Sequence, residues 1–382
     1  MRVLQVHTRY REAGGEDAVI AAESKLLEEA GHEVVQWIGQ NPSSTTEALK
    51  ALVKAPHNKT AARAVAEAAV AAAPDVVHVH NTWFATSPAA FPALRAAVDV
   101  PIVMTLHNYR LSCANALLLR DGSPCELCVG ASPWSAVRYG CYRDSRLQSV
   151  AAAATISINR RRASWTDNVD RFLALTEFAK TKAVAGGLPA TKVEVKANFV
   201  PDPGMRSTSA HDSDQVLFVG RVTPEKGIGT LLEAWGQGHP DGLELAVAGD
   251  GPMYEELSNR SWPDVRFLGR VDRAGVQQLM SESRALVFPS EWYEGMPMTL
   301  LEAFASGLPV LGSNLGSMTE MLTPFGNSWL VQPGVVGAWS AAFEVLENDA
   351  AVSAASVTAR ALWESEYGPA KALDNLLAAY RA

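Results

Sequence analysis

The sequence of 382 residues holds only four cysteines, all between positions 113 and 141. That excludes a disulfide framework stapling the whole chain. No apolar run is long enough to span a bilayer. The opening stretch, Met1-Arg2-Val3-Leu4-Gln5-Val6-His7, reads as a strand with no signal peptide ahead of it. The expectation is a cytoplasmic protein, with peripheral contact at the inner face of the membrane as the alternative. No basic stretch interleaves with aromatics, which argues against a nucleic-acid partner. No repeat is sharp enough for a solenoid. No GxGxxG occurs in either half, which disfavours a two-domain dehydrogenase.

What is present divides into two halves. At 48% hydrophobic, the chain can bury two cores. Residues 1–200 carry 22 Lys/Arg against 18 Asp/Glu, whereas residues 201–382 carry 11 against 23. A first half of net +4 is suited to an anionic partner, a nucleotide product or a membrane surface. Short apolar strands alternate with helical stretches in both halves, which predicts two doubly wound, Rossmann-like parallel sheets of the α/β class. The first domain is expected over 1–200, with an insertion at 109–143 and a final segment, 368–382, crossing back onto it after the Gly368-Pro369 break. The Pro/Gly- and Ser-rich stretch 201–214 reads as a linker and 215–367 as the second domain. A helix is expected over Ala18–Ala30, after the loop Glu12-Ala13-Gly14-Gly15-Glu16-Asp17, and another over the alanine-rich Ala51–Ala73. Ligands bind such sheets at the carboxyl ends of the strands, and two sheets facing each other make one cleft.

One stretch organises the second half. Ala285–Ser290 reads as a buried strand stopped by proline, and the apolar run from Pro297 as a helix ended by Gly307. Between them lies Glu294-Gly295-Met296-Pro297, with Glu302 eight positions after Glu294. Pro297 suits the first helical position, and the amides after it point toward an anion. An isolated pair of this kind also reads as a loop acid and a solvated helix acid. Arg221 and Lys226 flank a Gly/Pro turn at another strand end, where both cations can converge on a pyrophosphate and Gly227 lets the backbone approach. His107 follows the strand Pro101–Leu106 and is read as a cleft residue or a core histidine. Asp212 and Asp214 have metal-ligand spacing but sit in the linker. Arg160-Arg161-Arg162 reads as a solvated helix face or a membrane contact. Cys113, Cys125, Cys128 and Cys141, with 11, 2 and 12 residues between them, can supply four thiolates to one structural zinc; free or partly oxidised thiols are the alternative.

This combination resembles the family 4 retaining glycosyltransferases, which have the GT-B fold. The resemblance rests on Gly14-Gly15, His107, Gly220-Arg221 followed by Glu225-Lys226-Gly227, Gly249-Asp250-Gly251-Pro252, and Glu294 through Glu302, in order over nearly the whole chain. The insertion, from His107-Asn108-Tyr109-Arg110 to Cys141-Tyr142-Arg143, resembles that of a bacterial subgroup. The resemblance implies retaining transfer of a hexose from a UDP- or GDP-sugar to an acceptor hydroxyl, in polysaccharide, glycolipid or natural-product biosynthesis. It implies no cofactor and no catalytic metal. Glu294 would hold the sugar hydroxyls, beside Gly295, Met296 and Pro297, and Glu302 the ribose. Arg221 and Lys226 would bind the diphosphate, His107 the transferred sugar, and Gly15 the phosphate through its backbone. Gly14, Gly220, Gly251, Arg270, Met298 and Thr299 complete the expected substrate-binding set. The acceptor, a sugar, lipid-linked sugar or small molecule, is left open. The alternatives are a nucleotide-sugar epimerase of the same architecture and an inactive sugar-nucleotide binding protein.

Overall fold

Each half of the chain builds one parallel six-stranded sheet from short β-branched apolar runs. The computed structural model describes residues 1–10, 14–42, 44–206 and 208–381, so Glu12, Ala13 and Ser207 lie outside the described residues. The first sheet contains β1 (Arg2–Arg9), β2 (Glu33–Gln40), β3 (Val76–Val79), β4 (Ile102–Leu106), β7 (Arg171–Ala174) and β8 (Val193–Val195). β5 (Leu119–Arg120) and β6 (Ser123–Pro124) form a small antiparallel hairpin within the insertion. The second sheet contains β9 (Gln215–Val219), β10 (Glu244–Ala248), β11 (Val265–Gly269), β12 (Ala285–Phe288), β13 (Val310–Ser313) and β14 (Leu330–Val331). Residues such as Val76, Val77, Ile102, Leu286 and Val287 are fully buried, as expected of central parallel strands covered on both faces.

The spatial orders are β2-β1-β3-β4-β7-β8 and β11-β10-β9-β12-β13-β14. Each order reverses once, between β1 and β3 in the first sheet and between β9 and β12 in the second. At such a switch point neighbouring crossovers leave to opposite faces and open a crevice at the carboxyl edge. The loops that follow β1, β3, β9 and β12 are therefore the places to look for a ligand.

The chain divides into two compact units. One comprises Met1–Leu118, Cys125–Asn198 and Ala372–Ala382, the other Leu119–Pro124 and Phe199–Lys371. In the first unit, Leu376, Ala379 and Tyr380 of the closing helix Pro369–Tyr380 pack against Val3, Leu27, Val76, Val103 and Leu173.

Several local expectations are corrected. The first helix runs Gly15–Glu29, three residues earlier than composition suggested, because Asp17 accepts the Gly14 amide at 3.0 Å and closes the first turn. The alanine-rich stretch makes two helices, Thr45–Lys54 and Lys59–Ala72. Asn58 starts the second by accepting the Ala61 amide at 3.2 Å. Pro297 is the N-cap of the helix Met298–Ala305, not its first residue. The stretch 201–214 is not a free tether. Arg360 grips both Asp202 oxygens at 2.9 Å, and Arg206 donates to the carbonyls of Ser283 and Gly307. Both contacts lie within the second unit.

Glycines fasten the loops at the second switch point. Gly249 sits at φ +153°, and a Cβ there would stand 1.8 Å from the Gly220 carbonyl oxygen. A Cβ on Gly251 would stand 2.5 Å from the Val222 carbonyl oxygen. Gly220 donates to the Ala248 carbonyl and Val222 to that of Asp250, at 3.1 and 2.9 Å. Gly249→Ala is expected to cost at least about 2 kcal/mol by forcing these loops apart. Thermal unfolding measures this, and an unshifted midpoint contradicts it.

Candidate functional site

The loop after β9 turns through a single 3-10 turn, Pro224–Lys226, and Gly227 (φ +69°) reverses it into the helix Ile228–Gln237. A Cβ at Gly227 would lie 2.0 Å from the Pro289 carbonyl oxygen, so this glycine is required by the backbone after β12. Glu291 donates its amide to the Glu225 carbonyl at 2.9 Å, and Thr230 bonds the Glu291 carboxylate at 2.6 Å. The two loops flanking the switch point are thus stitched together.

That stitching brings Lys226 onto Glu294. The Lys226 ammonium lies 2.6 Å from Glu294 Oε1, which also accepts from Ser290 Oγ at 2.6 Å and Trp292 Nε1 at 2.9 Å. Ser317 Oγ donates to the Glu294 carbonyl. Lys226 further stands over the Phe288 and Trp292 rings, 5.4 and 5.7 Å from their centroids. Glu294 is buried and Lys226 half-buried. Arg221 is exposed, 3.4 Å from Glu225.

Glu302 lies elsewhere in the same unit. It lines a cavity of about 270 Å³ with Arg273, Gln277, Met280, Pro201 and Asp202. Burial raises the pKa of its carboxyl, and Arg273 draws it part of the way back. Glu294 and Lys226 do not line this cavity. Glu294 lies in the loop ahead of the helix Met298–Ala305 and Glu302 within it; no side chain caps that helix start. Gly295 is half-buried and Met296 buried in the turn before it. Arg270 is exposed just beyond β11.

The first unit holds a polar core that sequence reasoning missed except for His107. Lys196 and Glu23, both buried, form an ion pair. Glu23 Oε2 and His80 Nε2 face each other at 3.6 Å, and His80 Nδ1 lies 3.1 Å from His107 Nε2. His78 bonds Tyr380 Oη at 2.8 Å and Thr105 Oγ1 at 2.7 Å. Burial holds all three histidines neutral, His107 at about 4. Burial also opposes the charge on Glu23, but Lys196 and the histidines outweigh it and lower its pKa. Ligand atoms of Glu23, His78 and His80 lie within 4.8 Å of one another. Both His78 nitrogens are bonded and Lys196 holds Glu23 Oε1, so only Glu23 Oε2 and His80 Nε2 are left unpartnered, too few donors to hold a cation. His80 and His107 border a cavity of only about 30 Å³, too small for a sugar. The only advance signal was the pattern Val77-His78-Val79-His80 on a buried strand.

The four cysteines are free thiols. Burial and the thiols of Cys113, Cys141 and Cys125 push Cys128 up to about 11, and the Ala136 amide donates to its sulfur. No three of the four sulfurs approach one another within 4.8 Å.

At the helix start after β1, His7 Nε2 and the Gly14 amide both meet the Asp17 carboxylate, at 3.1 and 3.0 Å. Gly14 and Gly15 are exposed there. Beside them Glu16 accepts from Asn108 Nδ2 at 2.8 Å, and burial pushes its carboxyl up to about 7. A raised acid favours the fold while protonated. Its contribution is complete below about pH 4.5 and is lost as pH rises through about 7. Glu16→Gln should therefore flatten the fall in melting temperature between about pH 5 and 8; parallel wild-type and variant curves would contradict this.

Comparison with known proteins follows the same two units. The family described as "Glycosyl transferase 4-like domain" matches residues 14–198, and "Glycosyl transferases group 1" matches residues 213–349. Glycogen synthase of Mycobacterium tuberculosis is 26% identical over 303 residues, 77% of this chain and 65% of its own. The 2-deoxystreptamine N-acetyl-D-glucosaminyltransferase of Streptomyces fradiae is 29% identical over 278 residues, 69% of this chain and 61% of its own. The chain spans less than two thirds of the length of either relative. The solved structure of Anabaena HepE in complex with UDP shares the fold, with a TM-score of 0.66 at 17% identity over 99% of both chains. With both halves matched in chain order and both sheets in place, the chain belongs to the family 4 glycosyltransferases of the GT-B fold.

Proposed function

We propose that the protein is a retaining glycosyltransferase that moves a hexose from a UDP- or GDP-sugar to an acceptor hydroxyl. The observation that carries this is the Lys226–Glu294 contact at the switch point of the second sheet. Cleaving the bond between anomeric carbon and phosphate builds negative charge on the leaving diphosphate. Lys226, Arg221 and the uncapped helix start at Met298 and Thr299 supply the opposing positive potential. Lys226 leaves Glu294 for the diphosphate when donor binds, and Glu294 turns to the sugar hydroxyls. Ser290 and Trp292 still donate to Glu294 Oε1 once Lys226 has left, which lowers its nucleophilicity and favours a grip on the sugar over a covalent intermediate. The acceptor then arrives on the leaving-group face, and the departing phosphate takes its proton. No metal is needed for this step.

The cavity at Glu302 and Arg273 receives the nucleoside, with Glu302 on the ribose hydroxyls. His107, half-buried, neutral and anchored by His80, is proposed to meet the transferred sugar with its exposed edge and not through the small cavity it borders. Gly14 and Gly15 offer backbone to phosphate, while Gly220 and Gly251 act by holding the loops. Binding by UDP in the HepE complex is consistent with a uridine or related donor. Work in the cytoplasm or at the inner membrane face fits this donor class.

Lys226→Ala and Glu294→Gln are each expected to lower transfer by about 10²–10³-fold with the fold retained. Release of UDP or GDP from a panel of nucleotide sugars, with unchanged circular dichroism, measures this. Near-normal rates in both variants overturn the assignment. Donor turnover without any acceptor would instead indicate an epimerase.

The four cysteines are proposed to close on one structural zinc, since a CxxC with two outlying thiols is the donor set that zinc prefers. Elemental analysis of protein purified without chelator should find about one zinc per chain. A content well under one refutes it.

A further inference from the structure

The carboxyl edge of the first sheet carries a second pocket, of about 190 Å³. It gathers residues from the ends of four strands: Tyr10 after β1, Asn41 after β2, Trp83 and Phe84 after β3, and Arg110 after β4. Tyr142 and Arg143, from the end of the cysteine-bearing insertion, complete it. The β1/β3 switch point lies among these loops.

Its chemistry is one-sided. The lining holds two guanidinium groups and no carboxylate. Arg110 stacks on Trp83 and Tyr142, with its Cζ 4.6 and 5.4 Å from their ring centroids. One of its terminal nitrogens bonds the Ala114 carbonyl, and its Nε is buried without a partner. Arg143 is exposed and stands 5.5 Å over Tyr142, with no ion pair among the described residues. Both Arg143 and Asp144 have left-handed backbone, at φ +54° and +51°, a costly conformation for residues with side chains. The wall is held firmly, since Trp83 Nε1 donates to Tyr142 Oη at 3.2 Å and the Tyr142 amide to Ser149 Oγ at 2.9 Å. Burial pushes the carboxyl of Glu16, the acid beside Arg110, up to about 7. The half-buried ring of Tyr10 suits the apolar face of a pyranose, the buried rings of Trp83 and Tyr142 hold Arg110 in place, and planar guanidinium forks suit phosphate or carboxylate.

We propose that this pocket binds an anionic sugar, one bearing a phosphate or carboxylate substituent, and that this is the acceptor class. The role as acceptor rests on the transferase reading; the binding does not. A basic first half agrees with an anionic ligand there.

Calorimetric titration of the full chain with α-D-glucose 1-phosphate, glucuronate, glucose and inorganic phosphate tests it without turnover. One or both anionic sugars should bind saturably, and which of them does distinguishes phosphate from carboxylate. Glucose and inorganic phosphate should each bind at least tenfold more weakly. Arg143→Ala, at an exposed side chain, should weaken binding tenfold or more at an unchanged melting temperature. Lys226→Ala should leave it within twofold, which separates this pocket from the donor site. No saturable binding by either anionic sugar overturns the proposal. So does wild-type affinity in Arg143→Ala, or inorganic phosphate binding as tightly as the anionic sugars.

Discussion

An ammonium ion on a buried carboxylate is the constraint around which the second unit is arranged. Lys226 and Glu294 sit on loops from the two strands that flank the switch point, and each loop is shaped to deliver one partner. Gly227 must lack a side chain because the Pro289 carbonyl occupies that space. Ser290 and Trp292 share the charge on Glu294, so the carboxylate keeps hydrogen bonds if the lysine departs. A buried pair of this kind contributes little net stability, because desolvation offsets most of the attraction. Under the proposed function its value lies in keeping a cation and a carboxylate pre-positioned, where a diphosphate would compete for one and a sugar for the other.

Much of this was legible in the sequence, and the reasons are local. Strands such as Gln215–Val219 and Ala285–Phe288 are short apolar runs punctuated by glycine or proline, so both sheets could be anticipated. Glu294, Lys226 and Arg221 stood out because loop residues at strand ends have few structural reasons to be charged. Their pairing was not legible, since 68 residues separate Lys226 from Glu294 and only the sheet order brings their loops together. Nor could the sequence tell that the Pro289 carbonyl closes in on Gly227. Glu23 and Lys196, 173 residues apart, could not be matched by spacing, and neither lies in a motif.

The first unit uses the same architecture for other ends. Below its carboxyl edge, neutral histidines and one ion pair fill space that apolar residues fill in the second unit. Such a core is tolerated because nearly every member has a partner, and it ties the closing helix to the sheet through Tyr380 and His78. Above that edge, the insertion adds Tyr142 and Arg143 to loops that the sheet alone would leave open. Two guanidinium groups thus stand at the switch point of the first sheet, and the Lys226–Glu294 pair at that of the second.

If the Lys226–Glu294 contact is the resting form of a diphosphate site, a crystal structure with UDP or GDP bound should show it. The Lys226 ammonium is expected within hydrogen-bonding distance of the β-phosphate, and Glu302 on the ribose hydroxyls. A nucleotide bound elsewhere, with Lys226 still on Glu294, would contradict it.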